Sequence, residues 1–188
     1  MAFNIIVCAK QVMDPETPAS AFNVDENARR VIPAQGIPPV VNGFDENAVE
    51  AALKIKESID DTTVTVISTG TEFVMDVMKK PLSMGADNMV LVQDDACADL
   101  DAFSTVRILT KMIGRLGDFD LIICGQQASD WDNAHVPLGI SEILGLPCLT
   151  EVRAIEIGDG TVTVNSSRSD GYEVFESPMP ALITVNNE

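Results

Sequence analysis

The chain has 188 residues, with twelve lysine and arginine against twenty-nine aspartate and glutamate side chains, a formal charge of −17 and 46% apolar residues. So negative a surface repels nucleic acid and anionic membranes, and neither a secretory signal nor an apolar run near the roughly 20 residues of a membrane span is present. A soluble, cytoplasmic protein of one globular domain over residues 1–188 is expected.

Residues 4–9, Asn4-Ile5-Ile6-Val7-Cys8-Ala9, read as a first buried strand. The stretch after Lys10, with Pro15, Pro18 and several acids, lacks periodicity and is expected as a loop over the sheet's edge. A helix follows, with Ala48, Val49, Ala51, Ala52, Leu53 and Ile55 as its apolar stripe, Asp45 as N-cap and Phe44 stapled to Val49. Residues 64–68 form the second strand, ended by Thr69-Gly70. Thr71 then caps a helix that Pro81 kinks or stops near Lys80. Gly85 supplies a C-cap before a third strand at 89–92. Phe103, Val106, Leu109, Ile113 and Leu116 repeat at helical spacing between Asp101 and Gly117. The fourth strand, Leu121-Ile122-Ile123-Cys124, runs into a polar loop from Gly125 to Ala134 and then a helix.

This alternation implies an α/β fold, a parallel sheet with helices on both faces of the Rossmann-like, adenine-nucleotide-binding type. Beyond Pro147 the character changes. Apolar runs at 150–155, 161–164, 172–176 and 181–185, separated by Gly158-Asp159-Gly160 and Ser169-Asp170-Gly171, predict antiparallel strands added near the C-terminus.

In such a sheet a ligand lies beyond the carboxyl ends of the strands. Three segments meet that description: Cys8-Ala9-Lys10, Ser68-Thr69-Gly70, and the loop from Gly125 to Val136. Amides at the start of the helix after that loop suit an anion. No lysine or arginine occurs between Arg115 and Arg153, so a phosphate there would rest on backbone dipoles, side-chain amides and hydroxyls. Asp130, Asp132 and Asn133 suit turn and capping roles better than a metal or acid–base pair, and His135 is isolated. Trp131 is either an exposed loop aromatic or a lid over a planar ring. Cys8, Cys97, Cys124 and Cys148 form no Cys-x-x-Cys pair, so no metal site is expected. The dinucleotide fingerprint, the Walker A pattern and the nucleophile elbow are all missing, which leaves hydrolases and ordinary dehydrogenases little support.

These pieces together resemble the beta subunit of electron transfer flavoproteins, from Phe3 to about Val185. The resemblance is carried by Val7-Cys8-Ala9-Lys10-Gln11-Val12 with Asp14, Asn42-Gly43-Phe44-Asp45-Glu46 with the following alanine-rich stripe, Met84-Gly85-Ala86-Asp87, Gly125-Gln126-Gln127-Ala128-Ser129-Asp130 with Asp132, and Leu144-Gly145-Leu146-Pro147. It implies half of a heterodimer with an alpha subunit. Such a pair is an electron carrier, not a stand-alone enzyme. It moves electrons between acyl-CoA or other dehydrogenases, or NADH, and an acceptor. It also implies a bound adenine nucleotide, AMP or FAD. Cys8, Ala9 and Lys10 would lie beside it, Asn42, Gly43, Phe44, Asp45 and Thr69 around the adenosine. Gly125, Gln126, Gln127, Ala128, Ser129, Asp130, Asp132, Asn133, Ala134, His135 and Val136 would surround the phosphates. The chain departs from the family at Asn133-Ala134-His135, Pro137 and Lys80-Pro81. It stops at Glu188, before the family's C-terminal arm, which is expected to be absent. Two other readings remain: a regulatory or stress-type nucleotide-binding module that passes no electrons, and an adenylating enzyme, which would want a basic clamp that the loop lacks.

Overall fold

The computed structural model describes residues 2–27 and 29–186. Met1, Ala28, Asn187 and Glu188 lie outside the described residues, and with them the expectation about the chain's end. The chain enters through β1 (Phe3–Cys8) and continues into β2 (Gln11–Val12). A hairpin of β3 (Asn23–Asp25) and β4 (Arg30–Ile32) follows, and then β5 (Val40–Val41), which pairs antiparallel with β2. Helix α1 (Gly43–Ser58) crosses to β6 (Thr62–Gly70). Two short helices, α2 (Met75–Met78) and α3 (Lys80–Met84), lead to β7 (Asn88–Gln93), and α4 (Ala102–Leu116) leads to β8 (Leu121–Gly125). After α5 (His135–Leu144) come β9 (Cys148–Ile157), β10 (Thr161–Arg168), β11 (Gly171–Pro178) and β12 (Ala181–Val185).

Among the described residues the main sheet has eight strands in the order β11-β10-β9-β12-β8-β1-β6-β7. The neighbours from β9 to β7 pair parallel, and β9, β10 and β11 pair antiparallel. Side chains alternate between the two faces of each strand. Ile5, Val7, Val64, Val66, Leu121 and Ile123 meet Ala48, Val49 and Ala52 of α1. On the opposite face Ile6, Ile67, Ile122 and Leu182 meet Val106, Leu109 and Ile113 of α4 and Ile140 of α5. Burial on both faces is why β8 and β12 read as nearly unbroken apolar runs, whereas β6 alternates threonine with valine. The expected α/β architecture is therefore the observed one. A Cβ added to Gly139 would lie 2.7 Å from Val106 Cγ2, so glycine lets α5 settle directly on α4. No helix among the described residues is long and apolar enough to cross a membrane.

The order of the strands locates a cleft. From β1 the chain crosses to β6 and β7 on one side, whereas β8 lies on the other, so the winding reverses between β1 and β8. At such a reversal the connections leave in opposite directions and open a crevice at the carboxyl ends.

Local details depart from the sequence reading. The last strand, β12, is parallel and sits inside the sheet between β8 and β9. All five of its residues are buried, as a strand covered on both faces requires. Directly after Lys10 the chain forms β2, paired with β5 outside the main sheet. Val12 is buried there, and the Gln11 side chain accepts from Val74 N (2.7 Å) and donates to Glu72 O (3.4 Å). Those bonds accompany an extended Val74 at the head of α2, so Thr71 caps nothing. Pro81 divides α2 from α3 as expected. Asp101 caps α4 by accepting from Ser104 N, yet Phe103 is 63% exposed and leaves the apolar stripe.

Candidate functional site

At the winding reversal lies a cleft of ≈ 1030 Å³. The ends of β1 (Cys8, Ala9, Lys10), β6 (Thr69) and β8 (Gly125) line it, with Asn42 and Asp45 from the start of α1. From the loop after β8, Gln127, Ala128, Asp130, Asn133, Ala134, His135 and Val136 also face it. The fold thus brings most of the sequence-derived candidates together. Gly43, Phe44, Gln126, Ser129 and Asp132 do not line the cleft. Ser129 and Gln126 serve the scaffold instead: Ser129 N donates to Asn42 Oδ1 (3.1 Å) and Gln126 N to Val185 O (2.9 Å).

Helix α1 begins one turn earlier than its sequence suggested, with Asn42 in the N-cap position and no side-chain cap bond there. Asp45, expected as that cap, is inside the helix and buried. Its Oδ2 accepts from Lys10 N (2.8 Å) and its Oδ1 from Gly125 N (3.2 Å). Burial pushes its pKa up to about 7, against the lowering effect of those amides, Asn42 and the Lys10 charge. Asn42 is fully buried; its Nδ2 donates to Gln127 O at 2.8 Å.

The loop then turns back on itself. Trp131 N (3.2 Å) and Asp132 N (2.8 Å) both donate to Ala128 O. Asp132 and Ala134 have left-handed φ values of 51° and 53°. Such alternation of hand aims successive amides to one side and costs backbone strain in a non-glycine residue. Among the described residues, the amides of Asn133, Ala134, His135 and Val136 have no main-chain acceptor. They form a row of donors at the positive end of α5, suited to an anion.

Charges near this row are already matched. Lys10 Nζ lies 2.7 Å from each carboxylate oxygen of Asp130, and Gln127 Nε2 donates to Asp132 Oδ1 at 2.8 Å. Among the described residues no three His, Cys, Asp or Glu side chains gather to hold a metal. His135 opens α5 on the surface, and Trp131 stands 73% exposed in the loop. Cys8 and Cys124 are register partners on β1 and β8. A hydrogen bond from Cys8 together with burial pushes the Cys124 thiol well above its ordinary range, so it stays protonated and is no nucleophile.

Residues 30–188 match the electron transfer flavoprotein domain family. A chain of Megasphaera elsdenii named electron transfer flavoprotein subunit beta is 38% identical over 187 residues, covering 96% of this chain and 67% of that one. This chain belongs to the electron transfer flavoprotein beta-subunit family. The electron transfer flavoprotein subunit beta of Thermoanaerobacterium thermosaccharolyticum is 36% identical, over 98% of this chain and 68% of the relative. The caffeyl-CoA reductase-Etf complex subunit CarD of Acetobacterium woodii is likewise 36% identical, with the same coverage.

Membership in the electron transfer flavoprotein family gives the chain an electron-transfer role, and the cleft shows where its own residues depart from a simple reading. Glu72, Cys97, Asp101 and Phe103 also line it and were not singled out from the sequence. Phe103 was read as core because it falls on the apolar stripe of α4. In the first turn of α4 and 63% exposed, it faces the cleft instead.

Proposed function

We propose that this chain, as one domain, is the cytoplasmic beta subunit of an electron transfer flavoprotein. Paired with an alpha subunit, it carries electrons between acyl-CoA or other dehydrogenases, or NADH, and an acceptor, and it holds an adenine nucleotide, FAD or AMP, in the cleft. The observation that carries the nucleotide is the row of four amides from Asn133 to Val136 that lack a main-chain acceptor beside the winding reversal. The phosphate lies on that row. The adenosine runs back toward Thr69 and the first turn of α1, and Cys8, Ala9 and Lys10 form the near wall. A bound flavin supplies the redox chemistry; the protein's part is to bind, orient and shield. A volume of ≈ 1030 Å³ is at the upper end of ordinary ligand pockets, which favours FAD, the larger of the two.

The acidic lining argues against the triphosphate that a stress-type module would bind. Asp45, Glu72, Asp99, Asp101 and Asp130 face the cleft, and among the described residues Lys10 is the single lysine or arginine there. Co-expression with the alpha subunit, followed by denaturation and mass identification of released nucleotides, tests the reading. FAD or AMP near one per complex is expected from this chain's site; a colourless complex with no released nucleotide overturns it.

The Lys10–Asp130 pair yields a further expectation. Phosphate must compete with Asp130 for Lys10, so Asp130→Asn releases the ammonium and tightens AMP binding by about 2-fold to 5-fold, the scale of a partly exposed ion pair. Calorimetric titration reads this directly, and weaker binding by the variant would contradict it.

A further inference from the structure

We infer that Asn42 and Asp45 act through their side chains as positioning residues, clamping the diverging ends of β1 and β8 to the loop that carries the amide row. The inference rests on reading the cleft as a nucleotide site. It adds a job beyond any contact with the ligand.

Parallel pairing between β1 and β8 runs as far as Cys8 and Cys124. Just beyond it the winding reversal parts the two strands, and the Lys10 and Gly125 amides lose their ladder partners. Asp45 enters this fork. One carboxyl oxygen takes each amide, so a single buried side chain ties together two segments separated by 115 residues of chain (125 − 10). The approach is close enough that only glycine fits at position 125: a Cβ there would lie 2.5 Å from Asp45 Oδ1.

Asn42 extends the clamp to the loop. Its amide group bridges Gln127 O and Ser129 N, the residues on either side of Ala128, and its own N–H donates to Lys10 O at 2.9 Å. Ala128 O in turn receives Trp131 N and Asp132 N, which start the left-handed turn ending at Ala134. Hydrogen bonds from the start of α1 thus hold the loop on both sides of Ala128, and Ala128 O holds the turn as far as Asp132, the residue before the four donor amides. Bonds of this kind between buried polar groups fix one arrangement because each unmade partner is costly.

The single tryptophan of the chain, Trp131, lies inside the clamped loop and reports its motion without a ligand. The full chain is compared with Asn42→Ala, Asp45→Asn and Val164→Ala. The last removes buried volume from β10, away from the cleft, and serves as the control for stability lost elsewhere. Trp131 fluorescence anisotropy is measured well below the melting temperature, and AMP and FAD are each titrated. In Asn42→Ala and Asp45→Asn the anisotropy is expected to fall. Affinity is expected to drop about 10-fold to 100-fold, the effect of one lost hydrogen bond to a buried charged or polar group. Val164→Ala keeps both at the level of the parent. If Asp45→Asn does not fold, Asn42→Ala carries the comparison alone. Anisotropy and affinity in Asn42→Ala equal to those of the control overturn the inference, as does a loosened loop with unchanged affinity. Should no protein of the set bind AMP or FAD while the two variants still loosen, the clamp stands and the nucleotide reading falls.

Discussion

Gly125→Ala is expected to destabilise the protein by about 3 kcal/mol or more and to abolish nucleotide binding, because it strikes packing and a buried hydrogen bond together. The added methyl carbon would stand 2.5 Å from Asp45 Oδ1 and 2.7 Å from both the carbonyl carbon and Cβ of Phe44. All three atoms belong to the first turn of α1, and the two of Phe44 are fixed by its main chain, whose position is set by Ala48, Val49 and Ala52 in the core, so no side-chain rotation relieves the contact. Either β8 retreats or α1 lifts. Both movements lengthen the 3.2 Å bond from Gly125 N to Asp45, leaving a buried carboxyl short of a donor. Overpacking alone costs about 1 to 3 kcal/mol and a lost bond to a buried charged group a similar amount. Against a total stability of about 5 to 15 kcal/mol this is a large fraction. Urea unfolding gives the stability change and calorimetry the binding. A midpoint and an affinity equal to those of the parent would show that the close approach has no consequence.

Stability is also expected to rise as pH is lowered from 8 to about 5, opposite to the usual behaviour of buried carboxylates held by cations. The Asp45 pKa of about 7 in the folded state, against an ordinary 3.8, means that the folded chain holds this proton more tightly than the unfolded one. Its stabilising contribution is therefore complete below 3.8 and is lost as pH rises through about 7. A gap of roughly three units corresponds to about 4 kcal/mol as an upper figure. Asp87 works the other way. Burial would raise its pKa, but the Lys56 ammonium and the Val64 amide outweigh that and hold it low, so its contribution is lost only below about pH 4. For these two groups together the maximum lies near pH 4. Urea midpoints of the parent and Asp45→Asn over pH 5–8 separate this from general repulsion in a chain of charge −17, which both proteins share. Equal slopes in the two would exclude Asp45 as the titrating group.

What could be read in advance divides along the range of the interactions. Strands buried on both faces announce themselves as apolar runs, as β1 and β8 do, and β6 by its alternating Val-Thr-Val, so these three and the cleft at their ends were legible. The cap of α4 was legible too, since Asp101 and Ser104 are three residues apart. Asp45 carries the same local signature, an acid at the head of a helix. Its role is decided by Gly125, 80 residues away, and no local pattern encodes that. The pairing of Lys10 with Asp130 spans 120 residues and was hidden for the same reason. The tail shows a different limit: alternation and turn residues identify strands, but β12 and its neighbours look alike whether a strand adds at the rim or enters between two others. The unbroken apolar run of residues 181–185 was the available clue.

The place of β12 sets a timetable for synthesis. Strand β8, from which the Gly125–Val136 loop departs, has β1 on one flank from early on, but its other flank stays bare until residues 181–185 leave the ribosome. Even the first amide of the loop, that of Gln126, waits for the carbonyl of Val185. A nascent chain halted before that point exposes the rim of Leu121, Ile122 and Ile123 and invites pairing with another chain. The cleft is therefore closed on this side only once β12 has entered the sheet, so the pairing of residues 181–185 with β8 precedes any use of it.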